Sequence, residues 1–197
     1  MSMGRPRDHR VDASVLEATR TLLLEGGLAA LTVAAVAARA GVGKAAIYRR
    51  YPSKMHLVFA AAIHDVDVAT PPDHGSLVAD LTALLRDIAA SLDNPVARRV
   101  LPAMLLEMDA DDDVTERLSR TFVTREHEII GEVLERGVAR GELPSMPDVA
   151  EAQAHLVGPV FAWIYVLRRA VDDGQLARHA VLLVRAWNPA AAPPRER

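Results

Sequence analysis

Apolar residues return along this chain at intervals of three and four rather than at every second position, which is the period of helices that bury one face. The first stripe comprises Val15, Leu16, Thr19, Leu22 and Leu23. Asp12 is placed to cap it, and Gly26-Gly27 to stop it, since glycine enters the left-handed conformation at a helix end without a steric penalty. Thr32 is the next N-cap and opens a two-turn helix, Val33 to Ala40, which Gly41-Val42-Gly43 ends. Lys44 to about Arg50 form a third short helix, broken by Pro52-Ser53. Ser53 caps a fourth that runs from Lys54 through Leu57, Ala61 and His64 towards Val68.

The stretch Thr70 to Gly75 reads as a loop and a domain boundary. Beyond it Ser76 caps helix five, whose face carries Leu77, Leu81, Leu84, Leu85, Ile88 and Leu92. Asn94-Pro95 ends that helix and begins helix six, which reaches Met108 with a possible kink at Pro102. The acidic run Asp109–Asp113 loops into helix seven, Val114 to Arg140, closed by Gly141. Asp148 caps helix eight, expected to reach Val171 with a bend or break at Gly158-Pro159. Asp172-Asp173-Gly174 separates it from a ninth helix ending at Trp187. The prediction is an all-α protein of about nine helices with no internal repeat. Its expected parts are a disordered basic arm (1–10), a three-helix helix-turn-helix domain (11–68), a helical ligand-binding and dimerisation domain (75–187) and a disordered tail (188–197).

Composition agrees with helices. Half of the 197 residues are apolar and only 4% aromatic, and the dominant Ala and Leu are strong helix formers. The absence of cysteine excludes disulfides and thiolate chemistry. No apolar run reaches the roughly 20 residues of a membrane-spanning helix. The first ten residues lack the apolar core of a secretory signal, which points to the cytoplasm. Net charge is −3 but uneven: residues 1–56 hold nine Lys and Arg against four acids, including both lysines of the chain, Lys44 and Lys54. A basic end on an acidic body suits a DNA reader with a separate sensing domain.

The chemistry concentrates between Thr32 and Tyr51. Two short helices that cross closely need small residues at the crossing, and Ala37 and Gly41 stand there. Val36, Val42 and Ile47 supply the apolar lock. The second helix then offers Lys44, Ala45, Ala46, Tyr48, Arg49 and Arg50 to a major groove about 12 Å wide, which admits one helix. Arg49 is the candidate base reader, because a guanidinium pairs with guanine O6 and N7 at two points. Arg50 suits either a base or a phosphate. Lys44, Tyr48 and Lys54 suit phosphates, and Thr32 with the N-terminus of its helix adds another such contact. Gly43 caps the recognition helix, and Ala45 and Ala46 are small enough to approach a thymine methyl. Arg5, Arg7 and Arg10 of the arm add charge for phosphate or minor-groove contacts.

The run from Leu31 to Lys54, and most of all Ala40-Gly-Val-Gly-Lys-Ala-Ala-Ile-Tyr-Arg-Arg-Tyr-Pro-Ser-Lys54, closely resembles the DNA-binding segment of TetR-family regulators. With flanking helices the resemblance extends from about Val11 to Val68. It implies a homodimer on palindromic double-stranded DNA, a small-molecule pocket in the C-terminal helices, and repression. Three positions depart from the family pattern. Gly43 stands where serine is common, Ala35 where an acid would complete a capping box with Thr32, and Met55-His56 where glutamates are common. None removes a base or phosphate contact.

Beyond this segment the chemistry thins. The seven histidines lack the paired spacing of a metal site, and the acidic run lacks the alternating ligands and central glycine of a calcium loop. No phosphate-cradling loop or nucleophile elbow occurs, so neither a cofactor, a metal nor catalysis is expected. Leu118, Phe122, Ile129 and Val133 form an inward stripe on helix seven that Arg125 or Glu126 interrupts. Met104, Met108, Phe122, Arg125, Glu126, Phe161, Trp163 and Tyr165 are the candidate pocket lining. Val157, Val160, Ile164 and Leu167 on helix eight, with Leu176, Leu183 and Trp187 on helix nine, are candidates for docking against a two-fold copy. Two other classes remain open: a DNA-targeted enzyme, and an interaction module with a helical C-terminal domain. A buried carboxylate cluster would mark the first, and failure to bind its own upstream DNA the second.

Overall fold

The computed structural model describes residues 9–62, 71–109 and 123–188. Among these the chain is helical throughout, as the periodicity predicts, with nine α-helices. They are α1 (His9–Ala30), α2 (Val33–Ala40), α3 (Lys44–Tyr48), α4 (Lys54–Ala62), α5 (Leu77–Leu92), α6 (Pro95–Asp109), α7 (Thr124–Ala139), α8 (Val149–Phe161) and α9 (Asp173–Trp187). Several expectations fall outside the described residues: the arm with Arg5 and Arg7, the end of helix four with His64 and Val68, the acidic loop, Leu118, Phe122 and the tail after Asn188.

The helices form two compact units, and α6 belongs with the first. The sequence pattern groups α6 with the C-terminal helices; in the structure its neighbours are α1 and α4. Its inner side chains Val96, Ala97, Val100, Leu101 and Met104 are buried. Asn94 both starts it and ties it to its neighbour. Its side-chain oxygen accepts from the Val96 and Ala97 amides (3.0 and 2.9 Å), while its Nδ2 donates to the Ala62 carbonyl of α4 (2.7 Å). Arg20 of α1 donates to the adjacent Ala61 carbonyl (3.0 Å). The last described turn of α4 is thus held from two sides. In α1 the helix breaks at Gly27 (φ 70°) and resumes for one short turn before α2.

In the second unit α5 is the central helix, packed against α7, α8 and α9. Leu77, Leu81, Leu84, Leu85 and Leu92 are buried along it. The approach of α7 to α5 is close enough to need a glycine: a Cβ on Gly137 would meet the Leu77 methyls at 2.9 Å. Gly141 (φ 75°) ends α7 with two returning amide bonds, Gly141 to the Val138 carbonyl and Glu142 to that of Gly137.

A charged cluster pins the segment that enters this unit. Asp80, fully buried in the first turn of α5, accepts from the His74 amide (2.8 Å) and from Arg140 Nη2 (2.8 Å). Arg140 also donates to Asp73 (2.9 Å) and Glu142 (2.6 Å), and Arg136 donates to the Pro71 carbonyl (2.9 Å). These bonds, Glu142 first and then Asp80, push the Arg140 guanidinium pKa up. A buried carboxylate is tolerated only when its oxygens are satisfied in this way.

The C-terminal helix pair departs from expectation at one end. The turn pattern predicts helix eight to Val171, but helical bonding passes from α8 into one π-turn, Ala162–Val166, and stops. Arg168 then adopts a positive φ (51°). Asp172 caps α9, accepting from the Gln175 amide at 2.8 Å. Pro159 lies inside α8. It has no N–H for the carbonyl four residues back, that of His155.

Candidate DNA-binding site

The site begins with two caps. Thr32 Oγ1 accepts from the Ala35 amide (3.1 Å), which starts α2 squarely and leaves the hydroxyl proton free to donate. Gly41 ends α2 in the left-handed region (φ 68°), a conformation that costs a side chain about 1–2 kcal/mol. Its neighbour Val42 returns an amide bond to the Ala37 carbonyl (3.0 Å), and Gly43 then opens α3 with extended backbone and no side-chain cap. Val36, Ala37, Ile47 and Leu31 are buried together in this unit. Ile47 is the only buried side chain of α3, so that helix is held against α2 by one apolar anchor.

The opposite side of α3 is open. Lys44, Ala45, Tyr48 and Arg49 are exposed and Ala46 is half-buried. Tyr48 shows half of its surface to solvent. Neither Lys44 nor Arg49 forms an ion pair among the described residues. This is the arrangement a groove-reading helix requires: one locked face, and a free face bearing a lysine, a phenol, a guanidinium and two methyl groups.

Two of the cations expected to contact DNA have partners within the protein. Arg50 Nε pairs with the Asp12 carboxylate of α1, and Arg50 Nη1 donates to the Ala46 carbonyl (3.2 Å). Both side chains are largely covered, 19% exposed for Arg50 and 13% for Asp12. Lys54 Nζ donates to the Leu28 carbonyl at 2.8 Å, joining the start of α4 to the end of α1. Asp12, expected to cap α1, lies within its first turn and faces Arg50. Sequence reasoning could not see these partners, because they lie tens of residues apart. Tyr51 follows Arg50; burial, with the Asp12 charge second, pushes its phenol up to about 12.

The candidate pocket residues are divided between the two units. Met104 is buried in the first unit, while Phe161, Trp163 and Tyr165 belong to the second. The Met108 side chain lies outside what is described. Arg125 points out of the inward stripe, exposed and paired with Glu128 (2.8 Å), whereas Ile129 and Val133 are buried as the stripe predicts. Glu126 accepts a hydrogen bond from Gln153 of α8. Phe161 stacks on Tyr165 with ring centroids 4.8 Å apart, and the Tyr165 hydroxyl donates to the Leu92 carbonyl (2.8 Å). Trp163 stands edge-on to His179 of α9 at 5.4 Å. An open groove beside α7 is lined by Glu132, Glu135, Arg136 and Ala139, none of them an expected pocket residue.

The candidate interface residues divide likewise. Val160, Ile164, Leu176 and Leu183 are buried in the unit's own core, so they cannot also face a second copy. Leu167 is exposed, and Val157 and Trp187 are half-buried. Leu182 and Val166, 62% and 69% exposed, were not singled out by the helical stripe because they stand beside it. Among the described residues no cluster of metal-ligating side chains occurs, and no helix is long and apolar enough to cross a membrane.

Known proteins share this arrangement. Residues 15–61 match the family of bacterial regulatory proteins of the tetR type, and residues 71–184 match the tetracyclin repressor-like C-terminal domain. The uncharacterized HTH-type transcriptional regulator YdeS of Bacillus subtilis is 31% identical over 175 residues, covering 86% of each chain. The uncharacterized HTH-type regulator Rv1556 of Mycobacterium tuberculosis is 37% identical over 135 residues; the match takes in 68% of this chain and 66% of that one, just under two thirds of its length. The crystal structure of the TetR-family regulator SCO0332 superimposes with a TM-score of 0.72 at 28% identity, over 93% of this chain and all of that one. With the family's N-terminal and C-terminal domains matched in order and the helix-turn-helix geometry intact, the chain belongs to the TetR family of transcriptional regulators.

Proposed function

We propose that this protein is a repressor that binds a palindromic operator as a homodimer and releases it when a small molecule occupies its C-terminal helices. The observation that carries the DNA-binding part is α3, anchored by Ile47 and open at Lys44, Ala45, Tyr48 and Arg49. Arg49 reads a base, Lys44 and Tyr48 take phosphates, and Thr32 with the N-terminus of α2 takes another. One five-residue helix offers too little contact for specific binding. Two on a dyad reach successive major grooves roughly 34 Å apart.

We place the interface on the exposed faces of α8 and α9. Leu182 and Ala186 are exposed one turn apart on α9, as are Ala154 and Gly158 on α8. Small residues let helices approach closely, and a protruding leucine fills the gap between them. Repression and a small-molecule effector rest on the tetracyclin repressor-like C-terminal match. Such a regulator works in the cytoplasm, where its DNA lies.

Selection of bound sites from random DNA tests the reading as a whole. The expected product is an inverted repeat with half-sites about one helical turn apart. Recovery of no preferred sequence would refute it. Leu182→Arg should yield monomers in sedimentation and abolish operator binding.

A further inference from the structure

Arg49 and Arg50 are adjacent and chemically identical, yet they face different surroundings. Arg49 is exposed on the open side of α3. Arg50 turns back, with Nε on the Asp12 carboxylate and Nη1 on the Ala46 carbonyl of its own helix, so one guanidinium joins the start of α1 to the end of α3. A helix of five residues does not hold its direction by its own hydrogen bonds. Ile47 is its one buried side chain, and a single point of packing restrains rotation about itself least. A second tie at the far end restrains that rotation. We propose that Asp12 and Arg50 are positioning residues for sequence recognition: they touch no DNA, and their ion pair sets the angle at which α3 presents Arg49 to a base edge.

Arg50 can reach a phosphate only by leaving Asp12, which strands a largely covered carboxylate without its partner. The two roles therefore predict opposite signs for one substitution. The inference rests on the DNA-binding reading, and its test uses the full-length protein, the selected operator, and a scrambled duplex of equal length. With Asp12→Asn, operator affinity should fall by at least about tenfold, the cost of one lost base contact. Affinity for the scrambled duplex and the salt slope on it should stay unchanged. Arg50→Gln should do the same, the double variant should be no worse than either single one, and the exchanged pair Asp12→Arg with Arg50→Asp should recover part of the loss. Tighter binding to both duplexes by Asp12→Asn, with a salt slope smaller by about 0.9 per subunit in Arg50→Gln, would make Arg50 a phosphate contact and overturn the proposal. Where Asp12→Asn melts below the assay temperature, Arg50→Lys decides. It keeps the charge but not the two-point hold, so loss confined to the operator supports positioning, and unchanged operator affinity overturns it. A wild-type protein that prefers no sequence fails the DNA-binding reading itself, a result distinct from any of these.

Discussion

His179 Nε2 donates to the His155 carbonyl at 2.9 Å, and that carbonyl is the one Pro159 leaves without a helical donor. The proline thus opens a slot on α8 that α9 fills, and the His179 ring also meets Trp163 edge-on. Since a carbonyl only accepts, Nε2 of His179 carries its proton here. His179→Phe should cost about 1 kcal/mol in chemical denaturation. In a Pro159→Ala background, where the alanine restores a backbone amide to serve the carbonyl, the same change should cost much less. Equal costs in the two backgrounds would show that the bond contributes nothing.

The proposed DNA reading gives Arg49 and Lys44 on the exposed side of α3 different roles. Arg49→Ala should relax specificity at one base pair of each half-site by about 1–3 kcal/mol, read from binding to operators permuted at each position. Lys44→Ala should weaken all sequences alike and lower the salt slope by about 0.9 per subunit. A uniform loss for Arg49→Ala contradicts the base contact.

Lys54 is expected to act on stability rather than on DNA. Its ammonium donates to the Leu28 carbonyl across the junction of α4 and α1. Lys54→Met should lower the thermal midpoint, reflecting about 1.5–3 kcal/mol for a charged hydrogen bond, while the salt slope of DNA binding stays as in wild type. A lower slope with an unchanged midpoint reverses the assignment.

Asp80 holds the entry segment of the C-terminal unit through the His74 amide and Arg140. Asp80→Asn keeps the shape and removes the charge. Breaking a buried pair costs about 3–5 kcal/mol, and the lower end applies because Arg140 is itself 23% exposed. Hydrogen exchange of the His74 amide should accelerate in step. Unchanged protection there would place the loss elsewhere.

Tyr51 gives an alkaline signature. The folded phenol keeps its proton up to about 12, whereas an unfolded tyrosine loses it near about 10. Between these values the unfolded state binds fewer protons, so stability falls as pH rises. The contribution is complete below about 10 and lost on passing about 12. The urea midpoint of wild type should therefore fall relative to that of Tyr51→Phe across that window. Parallel slopes mean that Tyr51 titrates as it does in the unfolded chain.

Local rules made much of this molecule readable. Thr32, Gly41, Ser76, Asp148 and Asp172 mark helix ends because capping and left-handed backbone depend on a few neighbouring atoms. Val36 and Ile47 announce a buried crossing because their spacing matches the helical period. The same period reads Val160, Ile164, Leu176 and Leu183 as an apolar face, yet it cannot say whether that face meets the chain's own core or another copy; the structure buries all four.

Residue order and spacing alone were enough for the helical character of the described residues, the turn at Gly41, and a short helix α3 whose exposed side carries Lys44, Tyr48 and Arg49. Three-dimensional packing settled the rest: α6 joins α1 and α4, Leu182 rather than Leu183 faces outward, and Arg50 and Lys54 are ties within the protein. The reason is physical. A helix is fixed by bonds spanning four residues, but the partner of a charge is whichever group the fold brings within reach. For Arg50 that group is the carboxylate of Asp12, at the other end of the domain's sequence.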